Sequence, residues 1–265
     1  MNSRRQVLLG TLGVVAGGGF VGWSKRNSIL GWAARLNRNA ALQLTPAPTL
    51  DGQAAVLTPQ QVEGPFFVSA PHRRNVKEDR RGKDLRLRMQ VVRIPGGAPV
   101  EGGIVEMWHC DADGAYSGYP AEVAHDLWKT LALIGLQAKH VDPMNEERFL
   151  RGAQITDANG MVEFETIFPG WYEPRPPHVH FKVIAHDRLY LTSQFYFEPS
   201  FCNRIYLHQS PYSSHGACPY TAENDTAIKQ YQDAKGLLLE PVWSDTAPLL
   251  ASARIGITGW RNPGG

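Results

Sequence analysis

The chain is short of several things that common sites require. It has only three cysteines, Cys110, Cys202 and Cys218, and no CxxC pair, which removes the spacing of a structural zinc site. Its formal net charge is +2 over 265 residues and it has no long basic run, so nucleic acid is not an expected partner. Arg73-Arg74 and Arg80-Arg81 read instead as a solvated face or as ion pairs. No G-x-S-x-G occurs, so a serine-hydrolase nucleophile elbow is excluded. Internal repeats and low-complexity tracts are missing too. What is present, 43% hydrophobic residues, 10% aromatics and 19 prolines, suits one sizeable β-rich core with many turns and not a helical bundle.

Long apolar runs are equally scarce. Residues 6–24 are free of charge, but six glycines dilute them and Lys25-Arg26 close the stretch. Ser3-Arg4-Arg5-Gln6-Val7-Leu8-Leu9 before it reads as a twin-arginine export signal. This predicts the twin-arginine machinery as a partner and an exported, periplasmic chain, membrane-anchored if the signal is uncleaved. The glycines do not make a dinucleotide fingerprint, since no strand precedes them and no acidic residue follows at the required distance. The expected organisation is a signal over 1–26, a linker over 27–55, a β-domain over 56–245 and a tail over 246–265. In an oxidising compartment Cys202 and Cys218 are the pair available to bridge, with Cys110 a buried, reduced filler.

Leu85, Leu87, Met89 and Val91 alternate with Arg86, Arg88 and Gln90, the pattern of a half-buried strand. Ile104–Trp108 reads as the next strand, and residues 121–130 as one short helix in an insertion. Gln154–Thr156 and Val162–Phe164 flank Asp157-Ala158-Asn159-Gly160, which predicts a hairpin because Asn-Gly tolerates positive φ. His178–Val183 and Leu189–Phe197 supply two further strands. Short strands between turns predict an all-β fold, an antiparallel β-sandwich with long loops.

The chemistry concentrates in FPGWYEPRPPHVHF, Phe168 to Phe181. On a strand His178 and His180 share one face while Val179 and Phe181 share the other, so two imidazoles form a ready chelate. Tyr172 stands just before a Pro-rich turn, and Tyr116 in a loop behind Asp113-Gly114. A phenolate is a hard anionic donor, so two tyrosines with two histidines favour a hard trivalent ion such as Fe(III) over zinc or copper. A free tyrosine titrates near ~10, and only a strong nearby positive charge makes it a phenolate at neutral pH.

At these residues the chain resembles the intradiol ring-cleavage dioxygenases, most closely the protocatechuate-type members and their exported relatives. The resemblance runs from about Leu57 to Tyr212 through LTPQQVEGPFF, VEMWHCDADGAYSGY, FLRGAQITDANGMVEF, GWYEPRPPHVHFKV and LTSQFYF. It implies a β-sandwich catalytic domain with iron ligands at Tyr116, Tyr172, His178 and His180. Tyr172 and His178 would be axial, Tyr116 and His180 equatorial, and the Tyr172 phenolate would also take a substrate proton. It further implies a charge-stabilising arginine at Arg175 and an active-site glutamine at Gln194. The implied reaction inserts both atoms of O2 into a catechol-type diol and gives a cis,cis-muconate-type diacid. Pro65 and Phe66 are expected among the pocket walls. Catechol, protocatechuate and hydroxyquinol all offer the same chelating edge, so the diol stays open at this point.

Other readings are weaker. Tyr119, Tyr190, Tyr196, Tyr206, Tyr212 and Tyr220 fall at no ligand position, nor do the remaining histidines. A cupin also carries His-x-His, but it expects a carboxylate where Ile184 and Ala185 stand. The remaining rival is a transthyretin-like or carbohydrate-binding sandwich that holds a metal without turnover. The export reading has its own test. Replacing Arg4 and Arg5 together with lysine is expected to stop export in a fractionation assay, and undiminished periplasmic protein would contradict it.

Overall fold

The computed structural model describes residues 56–120, 141–185, 188–225 and 236–260. The expected signal, the linker and the short helix over 121–130 lie outside the described residues.

Among the described residues eight strands carry the fold: β1 (Asp84–Arg93), β2 (Ile104–Trp108), β3 (Arg151–Ile155), β4 (Met161–Ile167), β5 (His178–Ala185), β6 (Arg188–Phe197), β7 (Leu238–Leu239) and β8 (Leu249–Ile257). One helix, α1 (Pro199–Tyr206), follows β6. The strands form a three-stranded sheet in the order β4-β1-β8 and a five-stranded sheet in the order β3-β2-β5-β6-β7. Pairing is antiparallel except for β1 with β8 and β6 with β7. The all-β sandwich is therefore present, with two parallel joins in otherwise antiparallel sheets.

Leu85, Leu87, Met89 and Val91 are all buried, as their alternation predicts, and Arg86 and Arg88 face outward. They meet Val162 and Phe164 of β4, Val105 and Met107 of β2, and Val179, Phe181 and Val183 of β5 in one core between the sheets. β5 is buried along its whole length, so its second face, carrying His178, His180 and Lys182, must be covered from outside the sandwich.

The cover is the segment ahead of β1, which starts on β8 of the smaller sheet and then crosses that face strand by strand. Thr58 N–H donates to Gly256 O on β8 (3.0 Å) and Gln61 N–H to Thr192 O on β6 (2.8 Å). Gln194 Nε2 donates to Val62 O (2.9 Å), and Lys182 on β5 pairs with Glu63. Ala70 N–H then donates to Glu106 Oε1 on β2 (2.5 Å), and Arg73 N–H to Ala153 O on β3 (3.1 Å).

Three expectations are corrected. The Asp157–Gly160 turn forms, with Asn159 and Met161 N–H groups on Asp157 Oδ1 (2.8 and 2.9 Å) and Gly160 at φ +73°. It is no hairpin, because β3 pairs with β2 and β4 with β1, so the turn is a corner between sheets. The tail expected from residue 246 instead contains β8, which pairs with β1 from Leu85↔Leu249 to Arg93↔Ile257 and buries Leu249, Ala251, Ala253, Ile255 and Ile257. The anticipated Cys202–Cys218 bridge is not formed. All three cysteines are free thiols, Cys202 facing the core and Cys218 bonded to the Tyr220 backbone.

Phe181 is the core-side counterpart of the histidines, fully buried and stacked on Phe195 at 4.4 Å between ring centroids. Phe181→Ala is expected to destabilise the fold by about 3–5 kcal/mol. A urea unfolding midpoint unchanged from the wild type would show that β5 is not seated on this core.

Candidate metal centre

Each of the four predicted donors is delivered by a different local device or strand position. β5 aims His178 and His180 to one face, opposite Tyr196 and Gln194 on β6. On its other side Trp108 of β2 faces His180, and the two rings stack at 4.8 Å with only 7° between planes. Tyr172 is fixed by a tight turn in which its N–H and C=O pair with those of Arg175 (3.3 and 2.5 Å). Tyr116 ends a loop organised by Asp111, whose Oδ1 accepts from the Asp113 and Ala115 N–H groups (3.0 and 2.9 Å). Gly114 in that loop has φ +88°, and a Cβ there would lie 2.7 Å from Trp171 O, so only glycine lets the two tyrosine loops pack together.

The donor atoms converge. Tyr116 Oη lies 3.5 Å from Tyr172 Oη and 3.2 Å from His178 Nε2; Tyr172 Oη is 3.4 Å from His178 Nε2, and the two Nε2 atoms are 3.0 Å apart. Four ligands placed about 2.0–2.1 Å from one ion stand roughly 3 Å from each other, so the set has the span of a single metal. His178 Nδ1 lies 2.6 Å from Pro176 O, which fixes that nitrogen as the N–H and leaves Nε2 as a lone pair. His180 Nδ1 is buried with no protein partner, consistent with binding through Nε2. All four side chains are buried.

The charge states sharpen the fit. Burial, then the Arg175 charge, holds the His178 pKa well below the usual imidazole range. Burial, then the neighbouring His178, does the same for His180, so both are neutral, the form in which an imidazole can bind a metal. Burial pushes the Tyr116 and Tyr172 phenols up, though the Arg175 charge opposes this at both. Two phenolates in this place need a concentrated positive charge among them, which a trivalent ion supplies. Among the described residues no group of three or more His, Cys, Asp or Glu could hold a metal, so the histidine pair depends on the tyrosines.

Arg175 and Gln194 lie beside the cluster and bond to each other. Arg175 Nη2 donates to Gln194 Oε1 (2.5 Å) and to Tyr196 Oη (3.3 Å), and Tyr196 Oη donates to Gln61 Oε1 (3.1 Å). Arg175 Nε donates to Asp225 Oδ2 (2.8 Å). Phe66, expected in the wall, stacks on Tyr116 at 4.8 Å. Gly64 brings the covering segment close, since a Cβ there would sit 3.4 Å from His180 Cε1.

Several neighbours escaped sequence reading. Tyr196, set aside as one tyrosine among many, belongs to the Arg175 network, and its register opposite His178 was the available signal. Asp225 had no signal, being 50 residues from its partner. Arg151 is fully buried, donating to Ser117 Oγ and O (2.7 and 2.9 Å) with its guanidinium 6.0 Å from the Tyr116 ring centre. Glu106 is buried on the same sheet face, opposite Lys182.

No protein-family profile matches the chain. Among curated proteins it is similar to a chlorocatechol 1,2-dioxygenase of Pseudomonas sp. (strain P51), 28% identical over 56% of this chain and 59% of that protein. It is also similar to catechol 1,2-dioxygenase 1 of Acinetobacter lwoffii, 29% identical over 53% of this chain and 46% of that protein. The chain thus spans about half the length of these curated relatives. Among solved structures, an intradiol ring-cleavage dioxygenase from Tetranychus urticae superposes with a TM-score of 0.67 at 28% identity, covering 79% of this chain and 98% of that one.

Glu106 generates a pH test. Burial raises its pKa from 4.5 to about 7, against the pull of the Ala70 N–H and Lys182. The folded state therefore holds this proton longer than the unfolded one, and stability is lost as pH rises from about 4.5 to about 7. In metal-free protein Glu106→Gln is expected to gain about 1–3 kcal/mol above about pH 7 and nothing below about pH 4.5. Parallel pH–stability curves for the two proteins in urea titrations would refute this.

Proposed function

We propose that this chain, which shares sequence blocks and fold with the intradiol ring-cleavage dioxygenases, is an Fe(III)-dependent enzyme that cleaves a catechol-type diol between its hydroxylated carbons. The observation that carries the reading is the convergence of two phenol oxygens and two imidazole Nε2 atoms within 3.5 Å contacts in a buried site. Tyr116, Tyr172, His178 and His180 would hold the ion. When bound, ferric iron supplies a charged chelation centre for the diol and draws electron density from its ring.

The chain's own residues do the rest. Tyr172, buried beside Tyr116, would take up a diol proton, the role that the resemblance implies for it. Arg175 is charged and pinned on two sides, so its field at the diol ring needs no reorganisation as negative charge develops. Gln194 fixes the guanidinium through Oε1 and the covering segment through Nε2. That segment, with Phe66 on Tyr116 and Gly64 on His180, keeps bulk water from the ligand face. In balance, one carbon–carbon bond of the diol breaks, both O2 atoms enter, and a muconate-type diacid leaves with no outside reductant.

The relatives' names favour catechol and chlorocatechol over a diol bearing a carboxylate, and the reading takes an uncharged catechol ring as the substrate class. Export through Arg4-Arg5 is part of the proposal and rests on the N-terminal sequence.

Protein made in iron-replete medium is expected to hold one iron per chain, show a visible tyrosinate band, and shift that band on adding catechol. Tyr116→Phe and His180→Ala are expected to lose the iron or the band. Arg175→Ala is expected to keep both while turnover falls by about 100-fold. Metal analysis showing stoichiometric zinc and no iron would sink the assignment.

A further inference from the structure

We propose that Asp225 is the positioning residue for Arg175, holding its guanidinium in the one orientation that faces the four-donor cluster. The proposal rests on the function read above and adds a residue that lies beyond every sequence block that suggested it.

Arg175 sits on the turn that closes on Tyr172, three residues before His178, and its side chain is fully buried. A guanidinium is planar, with donors in a fixed fork, so bonds on two edges determine both its plane and its rotation. Nη2 bonds Gln194 and Tyr196 on β6, and Nε bonds Asp225. Gln194 and Tyr196 are neutral, so among these named partners Asp225 alone returns a charge.

Asp225 is itself placed by a local turn. Thr221 N–H donates to Asn224 Oδ1 (2.8 Å), and the Asn224 and Asp225 N–H groups donate to Thr221 O (3.2 and 3.1 Å). Its side chain is also fully buried. A buried ion pair often adds nothing to stability over apolar residues of similar size, because both charges lose their hydration. Fold stability therefore does not account for a carboxylate here, whereas orientation of a working cation does. The compensation matters electrostatically too. Arg175 and a trivalent ion would repel one another in a buried site, and the Asp225 carboxylate bonded to Nε would offset part of that repulsion.

The experiment uses the iron-loaded full chain as wild type, D225N, D225E, R175A and the double variant R175A/D225N. Asparagine keeps an acceptor for Nε and removes the charge. D225N is expected to retain iron and the tyrosinate band, while kcat falls about tenfold or more with KM changed by less than about threefold. D225E is expected to recover part of kcat, and D225N placed on R175A is expected to cause no further fall, because both act through one group. Wild-type kcat in D225N, or a loss that adds in full to that of R175A, overturns the proposal. Should D225N fail to fold, D225S, which also removes the charge, is read in its place by the same two criteria, with its own double variant on R175A.

The spectrum of bound 4-nitrocatechol separates this proposal from the functional reading. If the wild type turns over no diol, the reading of function fails. Matching displacement of the bound nitrocatechol band in R175A and D225N then still supports positioning, and displacement in R175A alone overturns it.

Discussion

β5 must satisfy two environments at once, and the rest of the molecule is arranged around that demand. Val179, Phe181 and Val183 complete a hydrocarbon core, while His178, His180 and Lys182 project from the same eight residues into a polar layer. A strand has a side-chain period of two, so a slip of one residue would exchange the two sets entirely. The register is held by β2 on one side and β6 on the other, and the partners they supply, Trp108, Gln194 and Tyr196, are all part of the site. The core and the four-donor cluster are thus two faces of one hydrogen-bonded ladder, and the apolar face fixes where the imidazoles stand.

The second layer of organisation is electrostatic. Burial keeps the two phenols protonated and, with Arg175 acting in the same direction, the two imidazoles neutral, so the four-donor cluster by itself is uncharged. Charges that are already buried nearby come with close partners: Arg175 with Asp225, Lys182 with Glu63, and Arg151 with the hydroxyl and carbonyl of Ser117. Lys182 also lies 3.2 Å from the centre of the Phe67 ring, so the covering segment meets the sheet through a cation–π contact as well as an ion pair. Such partnering lets a polar layer be dry while each buried charge keeps a hydrogen-bond partner.

Much of this was legible in the chain because it is local. The alternation of β1 and the His-x-His spacing are period-two signals, and they came out on the faces they specify. The two tyrosines were legible through resemblance, since nothing in a lone tyrosine marks it as a ligand. What could not be read was partnership over distance. A turn signal such as Asp157–Gly160 encodes a chain reversal, but not whether the strands it joins will pair, and here each found a different sheet. β8 shows the same alternation as β1, yet it follows a turn-rich stretch, and only its parallel contact with β1 gives it a place. The covering segment has no periodicity at all, because its polar contacts are spread over five separate strands. Asp225 is invisible for that reason too.

The way the ligand face is covered bears on how the ion would exchange. Its roof precedes β1 in the chain and is held to β6, β5 and β2 by a handful of bonds, while the sheets beneath are joined by continuous ladders. Peeling back residues 59–67 would break no strand pair of the sheet that carries the imidazoles. Loss of metal to a chelator would then follow the rate of this local opening and not the rate of global unfolding. A holoprotein built like this can be thermally robust and still metal-labile, two properties that a single melting curve would merge.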